Sequence, residues 1–357
     1  MVLVRRSGDG SSRMLAIFLA SLVLSLFTAT SASAGFRDAF EQYNAQNYPA
    51  ARIAAEPDAE RGNPAAQWLL GTIFLLGQGV DEDTVLARSW FEKSAASNYP
   101  PSQAVLGRMF EEGIGGTQDP HAAHNLYYRS AQQGYADAAY LLGRQFYFGR
   151  GIEKNGNAAL KWLTIAADEG NADAQFLGSK ILLTNEIIQA DPKQAAIWLT
   201  EAAEQGHPKA QLLFGSAMLT GLAGTYNPDK GLDWIRKAAA TGLADAEVRL
   251  GDLYSEGLNG RPDHARALDW WAKAAQKLNS DAQLRLARAY ARGRGTDRNY
   301  ETAYRWASLA AIQGNTTAAD LRDKLISRLR PDEIERADRA VDAELATHNL
   351  TQSGHSS

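Results

Sequence analysis

Gly71, Gly107, Gly143, Ser179, Gly215, Gly251 and Ala287 stand at intervals of 36 residues, with no insertion or deletion between them. Five positions before these anchors the chain carries Ala66, Ser102, Ala138, Ala174, Ala210, Ala246 and Ala282, again all small. Nineteen positions after them stand Trp90, Leu126, Trp162, Trp198, Trp234, Trp270 and Trp306. A period of about 20–50 residues held over seven copies marks a chain of stacked supersecondary units. It overrides the expectation of two ordinary domains that a length of 357 residues would otherwise raise.

Each copy reads as two helices. The first starts near eight positions before the anchor, where Asn63, Asn171 and Asn279 are good N-caps and Pro64, Pro100 and Pro208 follow at a position that needs no N–H. It ends six past the anchor at Gly77, Gly113, Gly149, Gly221, Gly257 and Gly293, with Asn185 in that place in the fourth copy. The second helix starts twelve past the anchor, at Asp83, Asp119, Asn155, Asp191, Asn227, Asp263 and Asn299, all strong N-caps. It closes at Gly134, Gly170, Gly206, Gly242 and Gly314. Small residues at the anchor and five before it let helices approach. Large ones three past it (Phe74, Phe110, Phe146, Leu182, Met218, Tyr254, Tyr290) and the Trp column fill the space between layers. We read that column as structural core in preference to an aromatic ligand platform. One helix pair cannot bury such a face alone, so each copy depends on the next.

The pattern A-x-x-x-L-G-x-x-[FY]-x-x-G-x-G, followed by an Asp/Asn-headed helix with K-A-x-x-W and A-A-x-x-G, resembles the Sel-1-like repeat, a relative of the tetratricopeptide repeat. The resemblance covers roughly Asn63 to Asn315. Three places depart from it: Gly178-Ser179 for Leu-Gly, Leu126 for Trp, and a fourth loop (Asn185 to Ala190) without the G-x-G turn. It implies an all-α, right-handed superhelical solenoid of antiparallel helix pairs, used as a protein-binding scaffold in bacterial export-dependent signalling and envelope assembly. The expected organisation is a leader over residues 1–34, an N-terminal capping half-repeat over 35–62 in which Pro57 breaks the second helix early, and seven repeats over 63–317. Capping helices over 318–346 and a disordered tail over 347–357 complete it.

The leader follows from its own residues. Arg5, Arg6 and Arg13 precede an apolar run from Leu15 to Ala29, and Ala32-Ser33-Ala34 has the small-x-small form of a cleavage site. The run falls short of the ~20 residues a spanning helix needs. The expectation is therefore a secretory signal peptide cut after Ala34 and a periplasmic or secreted protein, with an uncleaved anchor as the alternative.

Net charge is −4; the first 34 residues contribute +2 (three Arg against Asp9), leaving −6 on the remainder. A weakly acidic body offers no general attraction for nucleic acid or an anionic membrane. With no cysteine, disulfides, zinc-thiolate sites and thiol nucleophiles are excluded. His121 and His124 sit three apart on one helix, but no carboxylate column completes a metal site. Gly149-Arg150-Gly151 and Gly293-Arg294-Gly295 end helices rather than open them after a strand, so they read as turns and not phosphate cradles. No Ser, His and Asp arrangement stands out. Neither enzyme chemistry nor a cofactor is expected.

A helical step of 100° puts positions two before, one past and five past the anchor outside the core arc of the first helix. In tetratricopeptide-like arrays the first helices line the concave surface. The candidate partner-binding residues on this arc are Arg108, Arg144, Phe148, Lys180, Arg285, Arg288 and Arg292, beside apolar positions such as Leu69, Val105, Leu141 and Leu177. The three Arg of the seventh copy form a basic end suited to an acidic segment. The leading expectation is a monomeric, non-catalytic exported scaffold or adaptor for one or more proteins. It would regulate a sensor or assist envelope or exopolysaccharide assembly, with no nucleic acid and no membrane insertion after cleavage. The alternative is an envelope hydrolase or binder acting on β-lactams or cell wall, a branch whose repeats carry paired cysteines that this chain lacks.

Overall fold

The computed structural model describes residues 34–184, 191–221, 226–257 and 261–348. The leader ahead of Ala34, the fourth loop from Asn185 to Ala190 and the tail beyond His348 lie outside the described residues. Among those described, every regular element is a helix. Helices α1 (Ala34–Asn44) and α2 (Tyr48–Glu60) precede the repeats. Copies one to three supply α3 (Pro64–Leu76) and α4 (Thr84–Ala96), α5 (Pro100–Glu112) and α6 (Pro120–Gln132), and α7 (Ala136–Phe148) and α8 (Gly156–Asp168). Copies four and five supply α9 (Ala172–Thr184) and α10 (Pro192–Glu204), then α11 (Pro208–Thr220) and α12 (Pro228–Ala240). Copies six and seven supply α13 (Ala244–Glu256) and α14 (His264–Ala275), then α15 (Ser280–Arg292) and α16 (Tyr300–Ile312), before α17 (Thr316–Ile326) and α18 (Pro331–Thr347). The helices form two compact units, Met1–Trp198 and Leu199–Ser357.

Local chemistry sets the helix ends. All seven second-helix caps, Asp83 to Asn299, accept the amide three residues on through their side chains at 2.9–3.1 Å. Six of the same residues donate their own N–H to the carbonyl three past the anchor, as Asp119 does to Phe110 at 2.8 Å. One residue therefore starts the second helix and ties it to the first. The six glycines that end the first helices are all left-handed, φ +60° to +97°.

The early helix break expected at Pro57 does not occur. Pro57 lies inside α2, which runs to Glu60. The helix survives because Ile53, whose carbonyl loses the missing N–H, is on the exposed side and open to water.

In the first unit the anchor glycines fit against the residue following the Trp column. A Cβ on Gly107 would lie 2.5 Å from the Tyr127 ring, and one on Gly71 2.9 Å from Phe91. In the second unit a Cβ on Gly251 would lie 2.4 Å from Trp271. The deep column is thus Phe91, Tyr127, Leu163, Leu199, Ile235, Trp271 and Ala307, every one buried. Of the expected Trp core, Trp90, Trp162, Trp234, Trp270 and Trp306 are only half-buried, and only Trp198 is fully covered. Lys93, Lys237 and Lys273 lie 4.0–4.1 Å over the rings of Trp90, Trp234 and Trp270, so one face of these rings carries a cation instead of core. The fourth copy shows why its motif departs. Gly178, one position early, is the residue Trp198 packs against, 2.8 Å from a Cβ placed there.

Buried glutamines stitch successive copies together. Gln67, Gln175, Gln211 and Gln283 each donate Nε2 to the carbonyl of an Ala at the end of the preceding second helix, Ala59, Ala167, Ala203 and Ala275, at 2.9–3.3 Å. Each of those carbonyls ends a helix and already accepts the N–H of the turn residue that follows (Gly62, Gly170, Gly206 and Leu278, at 2.9–3.0 Å), so the glutamine supplies a second donor that links one copy to the next.

Candidate functional site

The first-helix face differs from the one the helical wheel implies. Leu69, Val105, Leu141 and Leu177, expected to be exposed, belong to the hydrophobic cores of the first unit, as does the neighbouring face of each helix. A first helix packs against its own second helix and also against helices of the adjoining copies, which widens its buried arc beyond that of a lone amphipathic helix. Arg108 is buried as well, at 5% exposure, with its guanidinium 2.9 Å from Glu112. It offers no free charge to a partner.

Arg144 is committed inside the fold too. Its Nη2 lies 2.7 Å from Oε2 of Glu111, a carboxylate 5% exposed. The Tyr127 hydroxyl donates to the same oxygen at 2.9 Å, and Arg150 approaches Oε1 at 3.7 Å. Burial works against the Arg144 charge, but Glu111 and the neighbouring tyrosines offset this and hold its pKa above the ordinary value. Burial pushes the Tyr127 phenol well up, with Glu111 adding to it, so Tyr127 stays a neutral donor. Phe148 is exposed at 46%, edge-on to Tyr147 and beneath Arg150, and Lys180 is exposed on α9.

The corresponding face of the second unit is built differently. Arg285 makes a two-pronged ion pair with Asp252, Nε to Oδ1 at 2.5 Å and Nη2 to Oδ2 at 2.9 Å, and Trp271 Nε1 donates to the same Oδ1 at 3.1 Å. Arg249 approaches Glu256 at 4.0 Å. Arg288, Arg292 and Arg294 are exposed and ion-paired to no described residue, and they line one cleft of about 120 Å³ with Ser255, His264 and Trp271. A larger groove of about 300 Å³ runs beside Asp245, Arg249, Asp252 and Asp281, where the asparagine cap Asn279 bonds Asp245 at 3.0 Å.

Of the three Arg read from the seventh copy, the structure therefore leaves Arg288 and Arg292 available and uses Arg285 internally. Sequence reasoning did not assign Arg294, His264 or Ser255 to the site. The signal was present in the Gly293-Arg294-Gly295 turn, where a Cβ on Gly295 would meet the His264 carbonyl oxygen at 2.5 Å, so the turn can lie against the start of α14 only with glycine there. His264 Nδ1 is 3.3 Å from Ser255 Oγ. Among the described residues no carboxylate is bonded to the ring to orient it, so the pair lacks the third member that activates a serine nucleophile. His124 bonds Gln145 at 3.2 Å and packs against Phe146 and Tyr128, and His207 caps α11 by accepting from Ala210 N at 3.0 Å.

The Sel1 repeat family model matches seven segments, residues 64–99, 100–135, 136–171, 175–207, 208–243, 244–277 and 280–315. Among solved structures, the chain is similar to a protective antigen of uropathogenic Escherichia coli strains that displays an SLR fold. Identity is 27% and the TM-score 0.77, over 90% of this chain and 72% of that one. It is also similar to a Sel1 repeat protein from Oxalobacter formigenes, at 29% identity and TM-score 0.64, over 68% of this chain and 99% of that one. No curated protein matches the sequence.

Proposed function

The chain belongs to the Sel1 repeat family, and on that footing we propose that it is a non-catalytic, exported scaffold that holds a protein partner in the bacterial envelope. Sel1 repeats generally mediate protein–protein interaction. The observation that carries the reading is the sorting of charge on the second unit's first helices and the turn after α15: Arg249 and Arg285 are paired with Glu256 and Asp252, while Arg288, Arg292 and, from the turn, Arg294 converge on one cleft with no ion-pair partner among the described residues. Guanidinium forks held on rigid helices suit carboxylate recognition on an acidic partner segment. Export rests on the arginine-led apolar run and Ala32-Ser33-Ala34.

Two measurements test it. The N-terminus of the protein recovered from the envelope should read Gly35; full-length chain in the membrane fraction would contradict cleavage. Crosslinking in intact envelopes should give a defined protein adduct that is lost in an Arg288→Glu/Arg292→Glu variant of unchanged helicity. No adduct, or turnover of nitrocefin or muropeptides by the purified protein, would overturn the scaffold reading.

A further inference from the structure

The repeat register makes the two arginine clusters comparable position by position. Glu111 lies four past its anchor in copy two, and the same position in copy six is Ser255. The deep-column residue over it is Tyr127 in the one case and Trp271 in the other. The arginines of the following copy correspond as well: Arg144 and Arg288 are both one past the anchor, Arg150 and Arg294 both seven past it. In copies two and three the Glu111 carboxylate binds Arg144 at 2.7 Å and draws Arg150 to 3.7 Å. In copies six and seven the two arginines are retained and the carboxylate is replaced by a hydroxymethyl group, beside which lies the cleft of about 120 Å³.

We propose that this cleft is the seat of a single carboxylate from an acidic peptide segment, which enters where Glu111 supplies its own carboxylate four copies earlier. The proposal deepens the scaffold reading and rests on it. Arg288 and Arg294 grip the carboxylate as Arg144 and Arg150 grip Glu111. Arg292, standing where copy three has Phe148, adds a third cation, and Ser255 and His264 add smaller polar groups at the floor. The nearby acids do not compete. Asp252 is satisfied by Arg285 and Trp271, and Glu256 faces Arg249. The volume suits a side-chain or C-terminal carboxylate and falls below the ~300 Å³ at which drug-sized ligand pockets begin.

Substituting Ser255→Glu tests this directly, because it restores the internal carboxylate. A fluorescent hexaglutamate amide is titrated by anisotropy against the full chain, with hexaglutamine amide as control, acetate and inorganic phosphate as competitors, and a free-acid hexaglutamine to register a C-terminal carboxylate. Expected are binding of a carboxylate peptide, and its weakening by about tenfold or more both in Ser255→Glu and in Arg288→Gln/Arg294→Gln, the loss due to one charge-assisted contact. The melting midpoint should rise in Ser255→Glu, and Arg150→Gln, in the equivalent place in copy three, should leave binding unchanged. Equal binding of hexaglutamine amide, undiminished binding by Ser255→Glu, or displacement by phosphate but not acetate would overturn the proposal. If the peptide fails to bind while the envelope adduct is still lost in the Arg288→Glu/Arg292→Glu variant, the carboxylate seat falls and the scaffold stands; peptide binding without any adduct separates them the other way.

Discussion

Lys277 Nζ lies 2.6 Å from Glu247 Oε1, in the place where copies two and seven bring together two glutamines, Gln133 with Gln103 at 2.8 Å and Gln313 with Gln283 at 2.7 Å. Among the described residues, this junction between the first helix and the end of the second helix of one copy is closed by an amide pair twice and by a charge pair once. Glu247 is buried, and Lys277 also donates to the Gly242 carbonyl at 2.7 Å. Lys277→Met should therefore cost about 1–3 kcal/mol, because it leaves a covered carboxylate without its cation. Glu247→Gln/Lys277→Gln should fall within about 1 kcal/mol of the parent, since the amide geometry already serves its neighbours. Urea unfolding of both variants checks this.

The turn after the second helix requires a left-handed residue. Glycine fills it in five copies and Asn98 in another, but copy six places Leu278 there at φ +62°. A β-carbon in that region costs about 1–2 kcal/mol. Leu278→Gly should raise the stability of the second unit by about 1 kcal/mol, less if lost contacts of the leucine side chain offset it. Thermal melting reads the sign.

Gly107 and Tyr127 are a matched pair. The methyl of Gly107→Ala would come 2.5 Å from a ring that is wholly buried and held by its bond to Glu111. We expect a loss of about 1–3 kcal/mol from overpacking. Ala287 bears a methyl in the same column because its partner there is Ala307. A Gly107→Ala protein as stable as the parent would show that the ring can move.

Asp137 supplies a pH dependence. Burial raises its pKa, opposed by hydrogen bonds from Tyr135 and Asn171, the latter at 2.8 Å. The folded chain therefore keeps this proton at pH values where the unfolded chain has released it. The resulting penalty is absent below the ordinary carboxylate range, grows as pH rises through the raised pKa, and is constant above it. Asp137→Asn keeps an acceptor for Asn171 and removes the charge. Its stability relative to the parent should increase with pH across the window that starts at the ordinary carboxylate value and then level off, as measured by melts from about pH 3 to 7.

Helix number, length and termini were legible because each depends on a few consecutive residues. An Asp or Asn with its own amide three residues on, or a glycine at a left-handed turn, needs no distant neighbour. The burial of Leu69, Val105 and Leu141 was not legible from a wheel drawn for one helix, since their cover comes from other copies. For the same reason the residue after the Trp column proved to be the deep core. Only the approach of the second helix to the anchor glycine decides which of two adjacent large side chains faces inward.

The sequence by itself determined the repeat, its period, the cap chemistry and the family, because these are properties of spacing along the chain. Tertiary structure alone decided which arginines are available. Arg144 and Arg285 look like Arg288 and Arg292 in sequence, yet the first two face carboxylates of the preceding copy and the last two face a cleft, while Arg108 meets Glu112 one turn along its own helix. Charge is written in the residue, but its neutralisation depends on distance, and packing between copies sets that distance.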